Sequence, residues 1–297
     1  VRDDIRSIPV ASRFSSRMSG LPPALLAEHV PHVAALIKSA LSSDMGQRKP
    51  ASQMLEACQA VPGFCSTLQC IFVDGATYAD DVRLLAAICA KLTVAAQWRP
   101  RRMRGLFGRG GGGGGAAAPT LTGCISAEEK TRTRAALLTQ LGEPDAKLMQ
   151  QLSLLIAKVS RFDWDEAWPA LFETLLAALR SESTLHRCGS ALTMYRCVKE
   201  LSTKRLMADR TRWARTAAQL LPPVLPLWEE RIAQLLARLA ALCQAGTTLP
   251  SLAQLRGGAD PAAAAAAVAQ SLSVELAQVE REAGMCKHMT KVLYQCG

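Results

Sequence analysis

Apolar positions along this chain recur at helical spacing, and the helices they predict are of two kinds. DDVRLLAAICAKLTVAAQW (80–98), DAKLMQQLSLLIAKVSRF (145–162) and HRCGSALTMYRCVKELSTK (186–204) are apolar on nearly every side, so each needs neighbours on both flanks. Amphipathic helices take turns with them, joined by connections of a few residues. An amphipathic helix suits an outer layer, and an all-round apolar helix suits an inner layer gripped by neighbouring repeats. The pattern therefore predicts an all-α fold of stacked helix pairs, an α-α superhelix of HEAT-repeat or armadillo-like type. A compact helical bundle is the competing architecture.

Local signals set the expected boundaries. A helix is predicted from about Leu25 to Ser43, and Pro50 suits the first turn of the next, PASQMLEACQA. Val61-Pro62-Gly63 breaks the chain before the short apolar helix FCSTLQCIF, and Asp80 and Asp81 suit the start of the helix that follows. SAEEKTRTRAALLTQLG (126–142) carries a capping box, with Ser126 as N-cap, Glu129 three residues on and Gly142 closing the helix. WDEAWPALFETLLAALRS (164–181) is the next helix. Residues 207–245 read as helix interrupted by LPPVLP at 221–226.

One internal stretch lacks this periodicity altogether. RPRRMRGLFGRGGGGGGAAAPTLTG holds a glycine run that no ordered domain needs, and it reads as a disordered insertion. The organisation expected is a flexible tail over 1–20 and two helix pairs over 21–98. The insertion follows at 99–124, then pairs three to five over 125–245, a linker at 246–260 and further solenoid helices over 261–297.

Composition fits this picture. The chain has 297 residues, 49% of them hydrophobic but only 5% aromatic. Its mean hydropathy is +0.10. No run of alternating β-branched residues suggests sheet, and no segment reaches the roughly 18 uninterrupted apolar residues of a membrane span. The N-terminal VRDDIRSIPVASRFSSRM has no secretory apolar core, and Asp3 and Asp4 argue against a transit peptide. The formal net charge is +10, but five arginines lie in WRPRRMRGLFGR, so much of the excess is local to one loop.

Enzymatic chemistry finds no support. GRGGGG (108–113) fits a nucleotide-binding glycine pattern only because it is polyglycine, and no strand precedes it. Asp163, Asp165 and Glu166 are placed at a helix start, where capping explains them better than paired-carboxylate catalysis. The ten Cys and four His are dispersed, without the clustering a zinc site needs. Most of the cysteines are expected to be small buried core residues in a reducing compartment. No cofactor and no metal is predicted.

The two best-defined inner helices share a further feature. At about 100° per residue, Arg83, Ala87, Lys91 and Ala95 form one line along the first. Lys147, Gln151, Lys158 and Arg161 repeat the arrangement on the second. Small and polar residues would leave an open strip with cations at intervals, either a solvated face or a basic ridge for an acidic protein surface. For Arg83 an ion pair with a carboxylate near the helix start is the alternative. Trp98 and Trp168 are expected in packing, with Trp168-Pro169 anchoring an outer helix.

PASQMLEACQAVPGF, VRLLAAICAKLTVAAQW, SAEEKTRTRAALLTQL, QLSLLIAKVSRFDWDEAWPALFETLL and ALTMYRCVKELSTKRLMADR occur in that order. Together they resemble the N-terminal region of the importin-β (karyopherin-β) superfamily, most closely its importin-eleven branch. The likeness covers roughly residues 45–235 and, more weakly, 286–297. Two departures stand out: Lys91-Leu92 replaces a frequent Lys-Asn, and DWDEAWP lacks the proline that commonly precedes the WP pair.

The resemblance implies HEAT repeats whose first inner helices bind the GTPase Ran in its GTP form, with cargo proteins released on that binding. It implies a receptor shuttling between nucleus and cytoplasm through the nuclear pore, with Phe-Gly nucleoporins as further partners. Arg83 and Lys91 are carried over as Ran-facing candidates, with Lys147, Gln151 and Lys158 beside them. Membrane and nucleic acid are not expected as partners. A HEAT scaffold without a GTPase partner, and an RNA-associated helical protein using the Arg/Gly insertion, are the alternative readings.

Overall fold

The computed structural model describes residues 22–99, 125–247 and 261–296. The 1–20 tail, nearly all of the Arg/Gly insertion and most of the predicted linker lie outside the described residues. Among those described, the secondary structure is entirely helical. The helices are α1 (Val30–Ala40), α2 (Met45–Cys58), α3 (Phe64–Val73), α4 (Asp80–Gln97) and α5 (Ala127–Thr139), then α6 (Ala146–Asp163), α7 (Leu171–Leu179), α8 (Thr184–Ser202), α9 (Met207–Thr247) and α10 (Pro261–Cys296). A single 3-10 turn, Ala27–His29, precedes α1. None of these helices is long and apolar enough to cross a membrane. They form two compact units that divide at Trp168, with residues 141–144 belonging to the second.

In the first unit α1 packs on α2 and α3 on α4, while α4 and α6 lie side by side and α5 covers α3. Lys91 meets Gln151, and about two turns further along α4 and three along α6 Trp98 meets Asp163, so α4 and α6 run in the same direction. These are the two helices the sequence marks as apolar on nearly every side. Each buries Ala or Ser where another helix approaches: Ala86, Ala87 and Ala90 on α4, Ser153, Ala157 and Ser160 on α6. Small side chains at these points let backbones come close, and the Ser160 hydroxyl is satisfied locally by the Ala157 carbonyl at 2.8 Å.

One glycine is dictated by geometry. Gly63 has φ +85°, and a Cβ there would stand 2.1 Å from the Leu25 carbonyl oxygen. The close approach is held by the Leu25 N–H donating to the Pro62 carbonyl at 2.8 Å. Proline–glycine thus turns the chain into α3 while docking the segment that leads to α1.

The second unit repeats the scheme. α7 packs on α8, and α9 pairs with α10. Trp228 bonds Thr290 and Arg238 bonds Glu282, an antiparallel match of α9 and α10. Contacts between α8 and α10 keep one register: Cys188 with Arg281, Tyr195 with His288 and Ser202 with Gln295, each 93 positions apart. α8 and α10 are therefore parallel, as α4 and α6 are. Both units are built of layered helix pairs of HEAT type.

Several sequence expectations are corrected. α2 starts at Met45, with the Asp44 carboxylate accepting from Gly46 N–H at 2.8 Å, so Pro50 lies inside the helix on its exposed side rather than in the first turn. LPPVLP does not interrupt the chain: α9 is continuous with Pro222, Pro223 and Pro226 inside it. The carbonyls those prolines leave unbonded belong to residues 218, 219 and 222, all exposed, where water can replace the lost bonds. Buried Leu220 and Val224 hold the opposite face. Pair five is consequently not completed within 207–245, because α9 finds its partner in α10.

The helix of 164–181 begins only at Leu171, and Trp168-Pro169 lies ahead of it with Trp168 buried. Asp163 closes α6 rather than opening a helix. Gly142 is not a left-handed cap, since its φ is not positive and α5 ends at Thr139 with Gln140 as its C-cap. Half of the capping box is formed, the Ser126 hydroxyl accepting from Glu129 N–H at 3.1 Å. The Glu129 carboxylate is instead buried at the start of α3, accepting from Ser66 N–H at 2.8 Å. It neutralises the positive end of a neighbouring helix, a long-range task that a local motif cannot announce.

Candidate functional site: the open side of α4 and α6

α4 turns Val82, Ala86, Cys89, Ala90, Thr93 and Val94 inward against its neighbours. Its outer positions are Asp81, Leu92 and Ala95, with Leu84, Ile88 and Lys91 half-buried. On α6 the corresponding outer row is Lys147, Gln150, Gln151, Leu154 and Lys158, of which Lys147 and Gln150 are exposed. The two rows meet where Lys91 Nζ donates to Gln151 Oε1 at 2.8 Å. Four of the five predicted contact residues, Lys91, Lys147, Gln151 and Lys158, thus share the open side of one two-helix layer.

Arg83 does not belong to that row. It is only 6% exposed, and Ala87, next on the predicted line, is fully buried. Arg83 Nε donates to the Phe72 carbonyl at 3.1 Å and Nη1 to Asp80 Oδ1 at 2.9 Å. The guanidinium also packs on Gly75, where a Cβ would come within 3.3 Å of Cζ. It satisfies a carbonyl in the last turn of α3, one with no partner inside its own helix, and pairs with the first turn of α4. The ion-pair alternative is the one present.

The strip read from the sequence starts one row off. Of the two alanines interpreted as leaving a surface open, Ala87 is a point of helix contact and Ala95 is exposed. Leu92, at 49% exposure, brings an apolar group to the open row.

Sequence reasoning missed the group that fixes the far ends of α4 and α6. Asp163 Oδ1 accepts from the Trp98 indole N–H at 2.8 Å, and Oδ2 accepts from Arg134 Nη1 at 2.7 Å. Trp98 is 1% exposed, and the Lys130 ammonium stands 5.7 Å above its ring. Arg99, the first residue of the predicted insertion, donates to the Phe162 carbonyl and covers the Phe162 ring. One carboxylate so ties the C-terminal ends of α4 and α6 to α5. The only sequence signal was an acid at the end of an apolar run.

Elsewhere in the unit, burial pushes the Cys65 thiol up to about 12, with the nearby Glu129 charge adding to it, and burial raises Cys58 and Cys89 to about 11. These are inert core thiols. No group of His, Cys, Asp and Glu suited to a metal ion occurs among the described residues.

A family model described as the importin-beta N-terminal domain matches residues 51–143, from within α2 to just past α5. Importin-11 of Homo sapiens is 33% identical over 196 residues, 66% of this chain and 18% of that protein. Importin-11 of Mus musculus is 32% identical over the same span. The chain therefore spans about a fifth of the length of these relatives.

Among solved structures, the exportin Cse1 in its cargo-free, cytoplasmic state superposes with a TM-score of 0.56 at 15% identity, covering 70% of this chain and 20% of that one. Lph2, a bidirectional nuclear transport receptor of S. cerevisiae, gives 0.51 at 23% identity, covering 72% and 19%. At such identities the structural likeness speaks for the fold.

Proposed function

We propose that the chain is a member of the importin-β superfamily, a reading supported by its match to the importin-beta N-terminal domain model and to Importin-11, and that its helices form the Ran-GTP-binding part of a nuclear transport receptor. The receptor carries proteins into the nucleus and releases them when Ran-GTP binds. Its partners are Ran-GTP, cargo proteins and the Phe-Gly repeats of nucleoporins, and it shuttles between cytoplasm and nucleus through the pore. Release is a coupling between two binding events, in which cargo and Ran-GTP favour different arrangements of the helix pairs or compete for one surface.

The observation that carries this reading is the open side of α4 and α6. Lys91 and Gln151 lock there in register, and Lys147 and Lys158 follow the same row. Cations at the rim steer an acidic partner and set its orientation, while Leu92 and Ile88 supply apolar area between them. Arg83 acts from behind, holding the start of α4 in place.

The test is binding of the full chain to Ran loaded with a non-hydrolysable GTP analogue or with GDP. A clear preference for the GTP form is expected. Lys91→Glu with Lys147→Glu should weaken it by roughly tenfold or more, mainly through a slower association rate, while Lys49→Glu on α2 should leave it unchanged. Equal binding of both nucleotide forms, or none, overturns the proposal and leaves a HEAT scaffold without a GTPase partner.

A further inference from the structure

The second unit carries a cationic, aromatic surface that the Ran-binding reading does not use. On α8, Tyr195 and Arg196 are half-buried and Lys199 is exposed. On the parallel α10, Lys287 is exposed, Lys291 is half-buried, and Tyr294 is 81% exposed. α7 covers the other side of α8, through Ser190 and Leu175, and α9 covers the other side of α10, through Thr290 and Glu282. At about 100° per residue the cations therefore fall on one open face of the α8/α10 layer.

Lys291 Nζ lies 4.9 Å above the Tyr195 ring centre, the Arg196 guanidinium 5.7 Å away, and His288 stacks against Tyr195 at 5.6 Å. Arg196, Lys199, Lys287 and Lys291 form ion pairs with no carboxylate among the described residues. Arg196 Nε and His288 Nδ1 are buried without a hydrogen-bond partner. His288 registers the surrounding positive field: burial first, then Lys291, Arg196 and Lys287, lowers its pKa to about 4. The imidazole is therefore neutral at physiological pH, and the positive charge of the face comes from lysine and arginine alone.

Lys287 and Lys291 stand one turn apart, an arrangement that costs a helix stability unless something negative faces it. Glu200 and Glu280 flank the cations and limit the face to about two helical turns. That footprint suits a short acidic peptide with discrete carboxylates, and the exposed Tyr294 ring offers it an apolar edge. A phosphodiester chain gains affinity with each phosphate neutralised, and here it would run onto the flanking glutamates.

We propose that the α8/α10 face, through Arg196, Lys199, Lys287 and Lys291, is a docking site for an acidic peptide segment of a protein partner. The site is independent of the α4/α6 row, and either can be lost without the other. The test uses the full chain and a fluorescein-labelled oligoglutamate peptide containing one phenylalanine, followed by anisotropy. Lys287→Glu with Lys291→Glu should weaken binding by roughly tenfold or more with unchanged circular dichroism, and added salt should weaken it progressively. Lys287→Arg with Lys291→Arg should retain binding, and Lys91→Glu with Lys147→Glu should leave it unaltered. No binding by the unmodified chain, equal binding by the charge-reversed variant, or tighter binding of an oligouridylate of equal charge overturns the proposal.

Discussion

Removing the Asp163 carboxylate tests whether the ends of α4 and α6 are held as described. In Asp163→Ala the Trp98 indole N–H, on a ring only 1% exposed, is left without its 2.8 Å acceptor. An unsatisfied buried donor costs about 1–3 kcal/mol. Arg134 loses its 2.7 Å partner as well. Breaking a fully buried ion pair costs about 3–5 kcal/mol, but the Arg134 side chain is 15% exposed and water recovers part of the loss, so about 1–2 kcal/mol is the better figure. The total for Asp163→Ala is about 3 kcal/mol.

Asp163→Asn keeps one oxygen for Trp98 but turns an amide donor towards the Arg134 cation, for about 1–2 kcal/mol. Trp98→Phe keeps the packing and loses one bond, for about 1 kcal/mol. Hydrogen exchange at the C-terminal turns of α4 and α6 is the appropriate assay, since it reads local opening within the first unit. A cycle combining Asp163→Ala with Arg134→Met should give a coupling of at least about 1 kcal/mol. Protection in Asp163→Asn equal to that of the unmodified chain, together with zero coupling, would refute the account of this carboxylate.

Four further outcomes follow from geometry and burial. Gly63→Ala places a methyl 2.1 Å from the Leu25 carbonyl in a left-handed conformation, and should lower the thermal midpoint as expected for a loss of at least about 2 kcal/mol. Maleimide labelling of the folded chain just below pH 9.0 should modify exposed Cys70 and spare Cys58, Cys65 and Cys89, whose thiols burial holds protonated to about 11–12. Because the unfolded chain releases those protons first, stability should fall as pH rises from about 9 through that range. His288 has the opposite sign: its lowered folded pKa of about 4, against 6.5 ordinarily, makes the unfolded state bind the proton first. The second unit should lose stability as pH falls from 6.5 towards 4, and His288→Gln should flatten that limb of a pH–denaturation profile.

The order and kind of helices were legible along the chain because burial on two sides writes itself as near-continuous apolar sequence. α4, α6 and α8 were identified as inner helices on that basis, and the first two lie side by side. Capping chemistry is also local, so Ser126 was placed correctly at the head of α5. The positively charged residues at 91, 147 and 158 could be assigned to their helices from spacing alone. What spacing could not supply was the rotation of α4 against its neighbours. That rotation depends on the sum of its contacts with α1, α3 and α6, and it buries Ala87 and Arg83 while exposing Leu92.

The same limit explains Glu129, Asp163 and the prolines of α9. Glu129 caps a helix more than sixty positions away, and Asp163 joins α4, α5 and α6 through partners at 98 and 134. Pro222, Pro223 and Pro226 are accommodated because the carbonyls they forfeit lie on the exposed side. Short-range order, set by propensity, periodicity and caps, was determined by the sequence itself. Which charges are consumed inside the fold and which are left for a partner was decided only by tertiary packing, because a cation's role depends on the acceptors that distant segments bring to it.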